Sequence, residues 1–309
     1  MIVLGRKHKF NQDELNKINK KFKSIHIVKY TDRDQNEVLN EIQEIIKQDR
    51  FDMLVLNTKA TIGDEIIKFI TKMQFSGKKF KIITIEDFME KYLQKCYIPS
   101  DHADLQFLAK IHPYNWWQMG LKKAVDIIGV IVLFIATCPV MIYSRYKIKN
   151  ESPGGSIFRQ ERVGLNDIEF RCVKFRSMSL DAEKDGIKFA NADDDRVFEY
   201  GKKMRKMRID ELPQILNVLS GQMHLVGPRP ERRFWVEKFE QMIPYYSERH
   251  IVRPGITGWA QVMYPYGQNA QDAKQKLMYD LYYIKHWSIW LEIKIVWKTI
   301  FAILKKQGV

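Results

Sequence analysis

Over residues 1–110, short apolar runs alternate with charged stretches of helical spacing. Ile2-Val3-Leu4, Ile25-His26-Ile27-Val28, Met53-Leu54-Val55-Leu56 and Lys81-Ile82-Ile83-Thr84-Ile85 are short and rich in β-branched residues, as buried strands are. Strands alternating with helices predict a parallel sheet with crossover helices, so an α/β unit is expected here. Gly5 follows the first run alone, without the remainder of a Gly-x-Gly-x-x-Gly string. A packing or regulatory domain is therefore expected rather than a dinucleotide site.

The pattern then changes. Ile127 to Ile142 is apolar, uncharged and interrupted by Pro139, with Lys122 and Lys123 before it and Arg145, Lys147 and Lys149 after. A straight spanning helix needs about 20 apolar residues, and a proline removes a backbone donor and bends or breaks a helix. Lysine and arginine collect on cytoplasmic flanks, and here both flanks are basic. These features predict a helix-break-helix over about residues 122–149 that enters the inner leaflet and returns to the same side. Residues 111–121 are read as a linker, with Trp116 and Trp117 suited to a membrane interface. A buried core helix is the competing explanation for so short a run. From Ser152 to Gly267 the chain is made of short polar and glycine-marked strings, and residues 272–308 regain helical spacing. There Trp287, Trp290, Trp297 and Phe301 stand among Lys285, Lys294, Lys298 and Lys305, which suits an interfacial helix or a core helix with a solvated face.

Composition narrows the partners. In 309 residues, 51 Lys and Arg outnumber 37 Asp and Glu, for a net charge of +14. That balance favours nucleic acid, anionic lipid or phosphorylated substrates, and does not choose among them. Cys96, Cys138 and Cys172 are far apart and make neither a zinc motif nor a disulfide framework. The apolar run at the amino terminus is too short for a signal peptide, so a chain retained in the cytosol is expected.

Four strings carry candidate chemistry. In Arg205-Lys206-Met207-Arg208-Ile209-Asp210-Glu211-Leu212-Pro213-Gln214, two carboxylates stand at an expected helix start behind three cations. Such a pair is usually structural, Asp capping free amides and Glu complementing the helix dipole. Beside so many cations, an ionised carboxylate also suits a nucleophile or a Mg²⁺ ligand, with guanidinium groups holding a diphosphate against it. Gly227-Pro228-Arg229-Pro230-Glu231 fixes the backbone around Arg229, as a rigid phosphate contact or as a plain turn. The others are Lys174-Phe175-Arg176-Ser177-Met178 and Arg253-Pro254-Gly255-Ile256-Thr257-Gly258-Trp259-Ala260-Gln261-Val262.

With Phe158-Arg159-Gln160-Glu161-Arg162-Val163-Gly164 and the Asp126-to-Pro139 segment, these strings resemble the bacterial sugar transferases, the monotopic polyprenyl-phosphate phosphoglycosyl transferases. The resemblance covers residues 122–309, and Tyr264-Pro265-Tyr266-Gly267 is similar to the exopolysaccharide branch. Residues 1–110 resemble the Rossmann-like domain that precedes the catalytic part in longer members; the four-helix bundle those members carry ahead of it has no counterpart in this sequence.

The resemblance implies an α+β catalytic domain with a re-entrant helix broken at Pro139, at the cytoplasmic face of the bacterial inner membrane. It implies transfer of a sugar 1-phosphate from a UDP-sugar to polyprenyl phosphate, with release of UMP, early in exopolysaccharide, capsule or lipopolysaccharide synthesis. Asp210 maps to the nucleophile and Glu211 to its partner carboxylate, both beside Mg²⁺, while Lys174, Arg205 and Arg229 map to phosphate-binding positions. No nucleic-acid partner is implied, and a homodimer is left open. Gly221-Gln222-Met223-His224, Phe198 and Met263-Tyr264-Pro265 depart from the family pattern, which bears on donor-sugar contacts. Two rivals remain: a catalytically degenerate scaffold in polysaccharide assembly, and a basic nucleic-acid-binding protein.

Overall fold

The computed structural model describes residues 1–48, 52–77, 79–100, 105–182, 184, 194–264, 267 and 269–305, in two compact units, Met1–Tyr97 and Ile98–Val309. Pro265 and Tyr266 of the tail string lie outside the described residues.

In the first unit β1 (Ile2–Leu4), β2 (His26–Val28), β3 (Met53–Leu56) and β4 (Lys81–Thr84) form one parallel sheet in the order β2-β1-β3-β4. These are the four apolar runs of the sequence, joined by helices Gln12–Asn19, Gln35–Gln48 and Asp64–Phe75. Ile2, Leu4, Val28 and Leu54 pack against Val38, Ile42 and Ile66 from the helices. The central strands are apolar throughout because helices cover a parallel sheet. Gly5 has φ +96°, and a Cβ there would stand 2.5 Å from the carbonyl oxygen of Asn57. Close approach of two strand ends thus accounts for this glycine.

The second unit holds two small sheets. β5 (Ile157–Val163) and β6 (Glu169–Phe175) form an antiparallel hairpin, and β7 (His224–Val226) pairs in parallel with β8 (Gly255–Thr257). Around them stand a long helix, Trp116–Glu151, shorter helices including Glu199–Lys206 and Ile215–Leu219, and two last helices, Ala270–Lys285 and Ile289–Leu304.

Asn115 starts the long helix through a capping box, its side chain accepting from Gln118 N at 2.8 Å while its own amide donates to Gln118 Oε1 at 3.0 Å. The helix takes in residues 116–121 of the stretch read as linker. Val130 and Leu133 pack with Cys172, Ile215, Val218 and Met223. Met141 touches that cluster and a second one of Ile148, Phe175 and Met204. Ser144 adds a hydroxyl contact to Tyr200 at 2.8 Å. Positions 130, 133, 141, 144 and 148 recur at helical spacing, so one face of the helix is laid along the unit from end to end. The opposite face is bare hydrocarbon: Ile128, Val132, Ile135 and Ile142 are each more than 60% exposed.

The break expected at Pro139 is corrected by the structure. The helix is continuous from Trp116 to Glu151 with Pro139 inside it. Proline's fixed φ is compatible with a helix and removes one donor; packing of Leu133 before it and Met141 after it holds the segment helical.

A buried ionic cluster fixes the amino-terminal part of this helix. Lys122 Nζ lies 2.9 Å from Asp126 and 2.8 Å from Glu292 of the last helix. Asp126 also meets His224 Nδ1 at 2.5 Å and accepts from Leu225 N at 2.9 Å. All four ionisable side chains are almost fully buried. Removing one member of such a cluster strands the charges that remain. Lys122→Met is therefore expected to lower stability by about 3–5 kcal/mol, read as a lower denaturation midpoint in detergent micelles.

Candidate active site

The site is built on β6 and the segment that packs against it. Asn217, in the short helix Ile215–Leu219, substitutes for a strand on the free edge of β6: its Oδ1 accepts from Val173 N at 2.9 Å and its Nδ2 donates to Arg171 O at 2.8 Å. The next residue along β6 is Lys174. Asn217 is almost completely buried, and a lone polar residue inside Ile215-Leu216-Asn217-Val218-Leu219 was the one sequence sign of its role.

Asp210 and Glu211 lie in a 3₁₀ turn, Ile209–Gln214, rather than in the first turn of an α-helix. Arg208 opens it with φ +54°, and no side chain caps the turn, so Asp210 does not serve as a cap. A non-glycine residue in the left-handed region is strained, and such strain is held where the surrounding structure over-determines it. Here it turns the chain sharply and sets both carboxylates against the β5–β6 hairpin.

The two carboxylates have opposite surroundings. Glu211 is buried and fully engaged: Oε1 receives Arg229 Nη2 at 2.7 Å and Lys174 Nζ at 3.2 Å, and Oε2 receives Arg208 Nη1 at 3.4 Å. Burial alone would raise its pKa, but Arg229, Lys174 and Arg208 hold it well below the usual carboxylate value. Among the described residues no hydrogen bond or ion pair reaches the half-buried carboxylate of Asp210. Burial and the adjacent charge of Glu211 push its pKa upward against the pull of Lys174, Arg205 and Arg229. A reaction that needs Asp210 ionised would accordingly lose rate on the acid side at a higher pH than an ordinary carboxylate, near 4, would give, and a pH–rate profile reads that limb.

Both carboxylates line a cavity of about 620 Å³. Lys174, Arg205, Arg208 and Arg229 line it as well, so the five candidate residues Lys174, Arg205, Asp210, Glu211 and Arg229 are brought together. The guanidinium of Arg205, on helix Glu199–Lys206, has no hydrogen-bond or ion-pair partner among the described residues and is open to a ligand anion. Pro139 lies elsewhere, on the long helix. Sequence reasoning missed Arg208 as a partner of Glu211, although the residue stood in the quoted string.

Three further residues were given other roles. His224 is buried against Asp126 at the long helix, away from the cavity, so this departure from the family pattern bears on helix anchoring. Phe198 packs beside the Ile148 cluster, and Glu151 Oε1 accepts from Tyr200 N at 2.8 Å where a capping side chain at 198 would act. Arg176 is a strut: its guanidinium donates to Gly155 O at 2.7 Å and to Ser152 O at 2.8 Å, tying β6 to the end of the long helix.

Among the described residues no group of three or more His, Cys, Asp or Glu side chains is placed to hold a metal. Asp210 and Glu211 are nevertheless the donor type that Mg²⁺ takes when substrate phosphates and water complete its shell, so the residues fit a metal that arrives with a phosphorylated ligand. A free carboxylate among cations in a cleft of this size suits nucleophilic attack on a phosphorus atom.

Residues 117–306 match the family model for bacterial sugar transferases. The chain belongs to that family. Over 188 residues it is 49% identical to a UDP-N-acetylgalactosamine-undecaprenyl-phosphate N-acetylgalactosaminephosphotransferase of Aeromonas hydrophila, covering 61% of this chain and 44% of that protein. It is 40% identical to a UDP-glucose:undecaprenyl-phosphate glucose-1-phosphate transferase of Xanthomonas campestris pv. campestris, covering 60% of this chain and 39% of that one. A transferase of the same description from Caulobacter vibrioides is 38% identical, with 59% of this chain and 69% of the relative covered. The chain thus matches less than half the length of the first two. The bacterial sugar transferase match spans the long helix, the hairpin and the cavity.

Proposed function

We propose that this chain transfers a sugar 1-phosphate from a UDP-sugar to undecaprenyl phosphate at the cytoplasmic face of the inner membrane, as the initiating step of exopolysaccharide or other surface-glycan synthesis. The observation that carries this reading is the pairing of an unengaged Asp210 with a Glu211 locked by three cations. Asp210 is free to react, while Glu211 holds Arg229 and Lys174 at the cavity wall, where they and Arg205 can neutralise a diphosphate.

In the first step an Asp210 oxygen bonds to the sugar-bearing phosphorus, the bridging P–O bond breaks, and UMP leaves with the electron pair. A phosphate oxygen of the lipid then bonds to the same phosphorus, and the Asp210 carboxylate leaves, giving the lipid diphosphosugar. Mg²⁺, held by Asp210 and Glu211 with the donor's phosphates, would supply further charge neutralisation. UDP-N-acetylgalactosamine is the first donor to test, given the 49% identity to the Aeromonas transferase. With undecaprenyl phosphate, Mg²⁺ and a panel of UDP-sugars, UMP should be released with one donor strongly preferred. Release of UDP, or of nothing from any donor, would overturn the proposal.

We read the long helix as monotopic, with both ends cytoplasmic. Its packed face runs from Asp126 to Ile148 along one globular unit, so both ends are held on the same body while the other face offers hydrocarbon to lipid. Cysteines introduced at Gly120 and Asn150 should react with a membrane-impermeant maleimide only after cells are permeabilised. Labelling of either from the periplasm would sink this topology. We read the first unit as a Rossmann-like accessory domain, on its parallel sheet.

A further inference from the structure

The turn that presents Arg229 has an unusual fixing problem. Pro228 and Pro230 have no backbone N–H, so neither can tie the turn down by donating. The turn is held through its carbonyls. Gly255 N donates to Pro228 O at 2.8 Å, Arg162 Nη1 to Pro230 O at 3.3 Å, and Arg249 Nη2 to Arg229 O at 2.8 Å.

Arg249 is the buried member of this set. It lies in the 3₁₀ segment Tyr246–Ile251 and is 4% exposed. Its guanidinium also donates to the Tyr246 hydroxyl at 2.9 Å and pairs with Asp280 Oδ2, on helix Ala270–Lys285, at 2.8 Å. A buried ion pair is a weak source of stability, since desolvation offsets most of the attraction. What this one does geometrically is tie the 3₁₀ segment and helix Ala270–Lys285 to the single carbonyl behind the Arg229 side chain, whose Nη2 meets Glu211. Shifting that carbonyl shifts the guanidinium at the cavity wall, and misplacement of a phosphate contact by about 1 Å can cost on the order of 100-fold in rate.

We propose that Arg249 is a positioning residue: it acts on the reaction through Arg229, by fixing the Pro228-Arg229-Pro230 turn in the orientation that meets the donor diphosphate. This rests on the phosphate-clamp role given to Arg229 above. Lysine at 249 keeps a charge for Asp280 but lacks the fork that serves Asp280, Tyr246 and the carbonyl together.

The test is a double-mutant cycle on single-turnover UMP release by the full chain in detergent, with UDP-N-acetylgalactosamine or whichever donor the panel prefers. Arg249→Lys should lower the rate at saturating donor about 10- to 100-fold in the native background and less than about 2-fold in an Arg229→Ala background. Tyr246→Phe, which loosens the guanidinium and leaves its charge in place, should show the same redundancy with a smaller loss, about 3- to 10-fold. It serves if Arg249→Lys does not fold. Equal losses in both backgrounds, or no loss from either variant, would overturn the positioning role. If Arg229→Ala itself leaves the rate unchanged, it is the clamp reading that fails.

Discussion

Asp210→Asn is expected to abolish UMP release while leaving the protein folded. An amide is a poor nucleophile, and it cannot form the acyl phosphate that a carboxylate forms. Loss should exceed the two to four orders of magnitude associated with losing an acid–base contribution, because on the proposed mechanism the group removed is the one that bonds to phosphorus. Stability moves the other way. Asp210 makes no hydrogen bond among the described residues, and its pKa is raised by burial and by Glu211. A carboxyl raised in the folded state favours folding below its unfolded pKa, and that contribution is lost as pH rises through the folded value. At pH 7 the native side chain is thus a burden, and the Asn variant should melt at the same temperature or higher. A variant that is inactive because it is unfolded would show a fall instead, and thermal denaturation separates the two.

The second large effect belongs to Arg229. Arg229→Lys keeps the charge but loses the planar fork that meets Glu211 at 2.7 Å while facing the cavity. Turnover should fall by one to two orders of magnitude, corresponding to about 1.5–3 kcal/mol of charge-assisted bonding. Steady-state UMP release at saturating donor measures this. Near-native turnover would reduce Arg229 to a support for Glu211.

The strands of the first unit were legible because apolar runs of strand length have few alternatives between charged helices, and β1 to β4 fell on them. The long helix was legible for the same reason, since its lipid-compatible face is continuous in sequence. Its continuity through Pro139 was not, because it depends on contacts from Met141 to clusters that lie far along the chain. Lys174, Arg205, Asp210, Glu211 and Arg229 could be named from their strings, and the resemblance gave the two carboxylates different roles, yet their contrasting surroundings could not be read there. That contrast follows from the left-handed Arg208, which has no sequence pattern, and from the strand-edge hydrogen bonds of Asn217, marked in sequence only by a lone polar residue in an apolar run. The pairs Arg249–Asp280 and Lys122–Glu292 join residues whose only relation is folding, so spacing gave no hint of them.

The proposed covalent mechanism has a direct physical readout. Wild-type protein incubated with its UDP-sugar and Mg²⁺, in the absence of any polyprenyl phosphate, should release UMP in amounts approaching the number of active sites. The peptide containing Asp210 should gain the mass of a phosphosugar, and later addition of undecaprenyl phosphate should discharge it. Glu211→Gln should form the same adduct slowly, because its loss disturbs the clamp and leaves the nucleophile in place. If UMP appears only when the lipid is present, and no mass is ever found on Asp210, transfer is direct and the nucleophile assigned here is wrong.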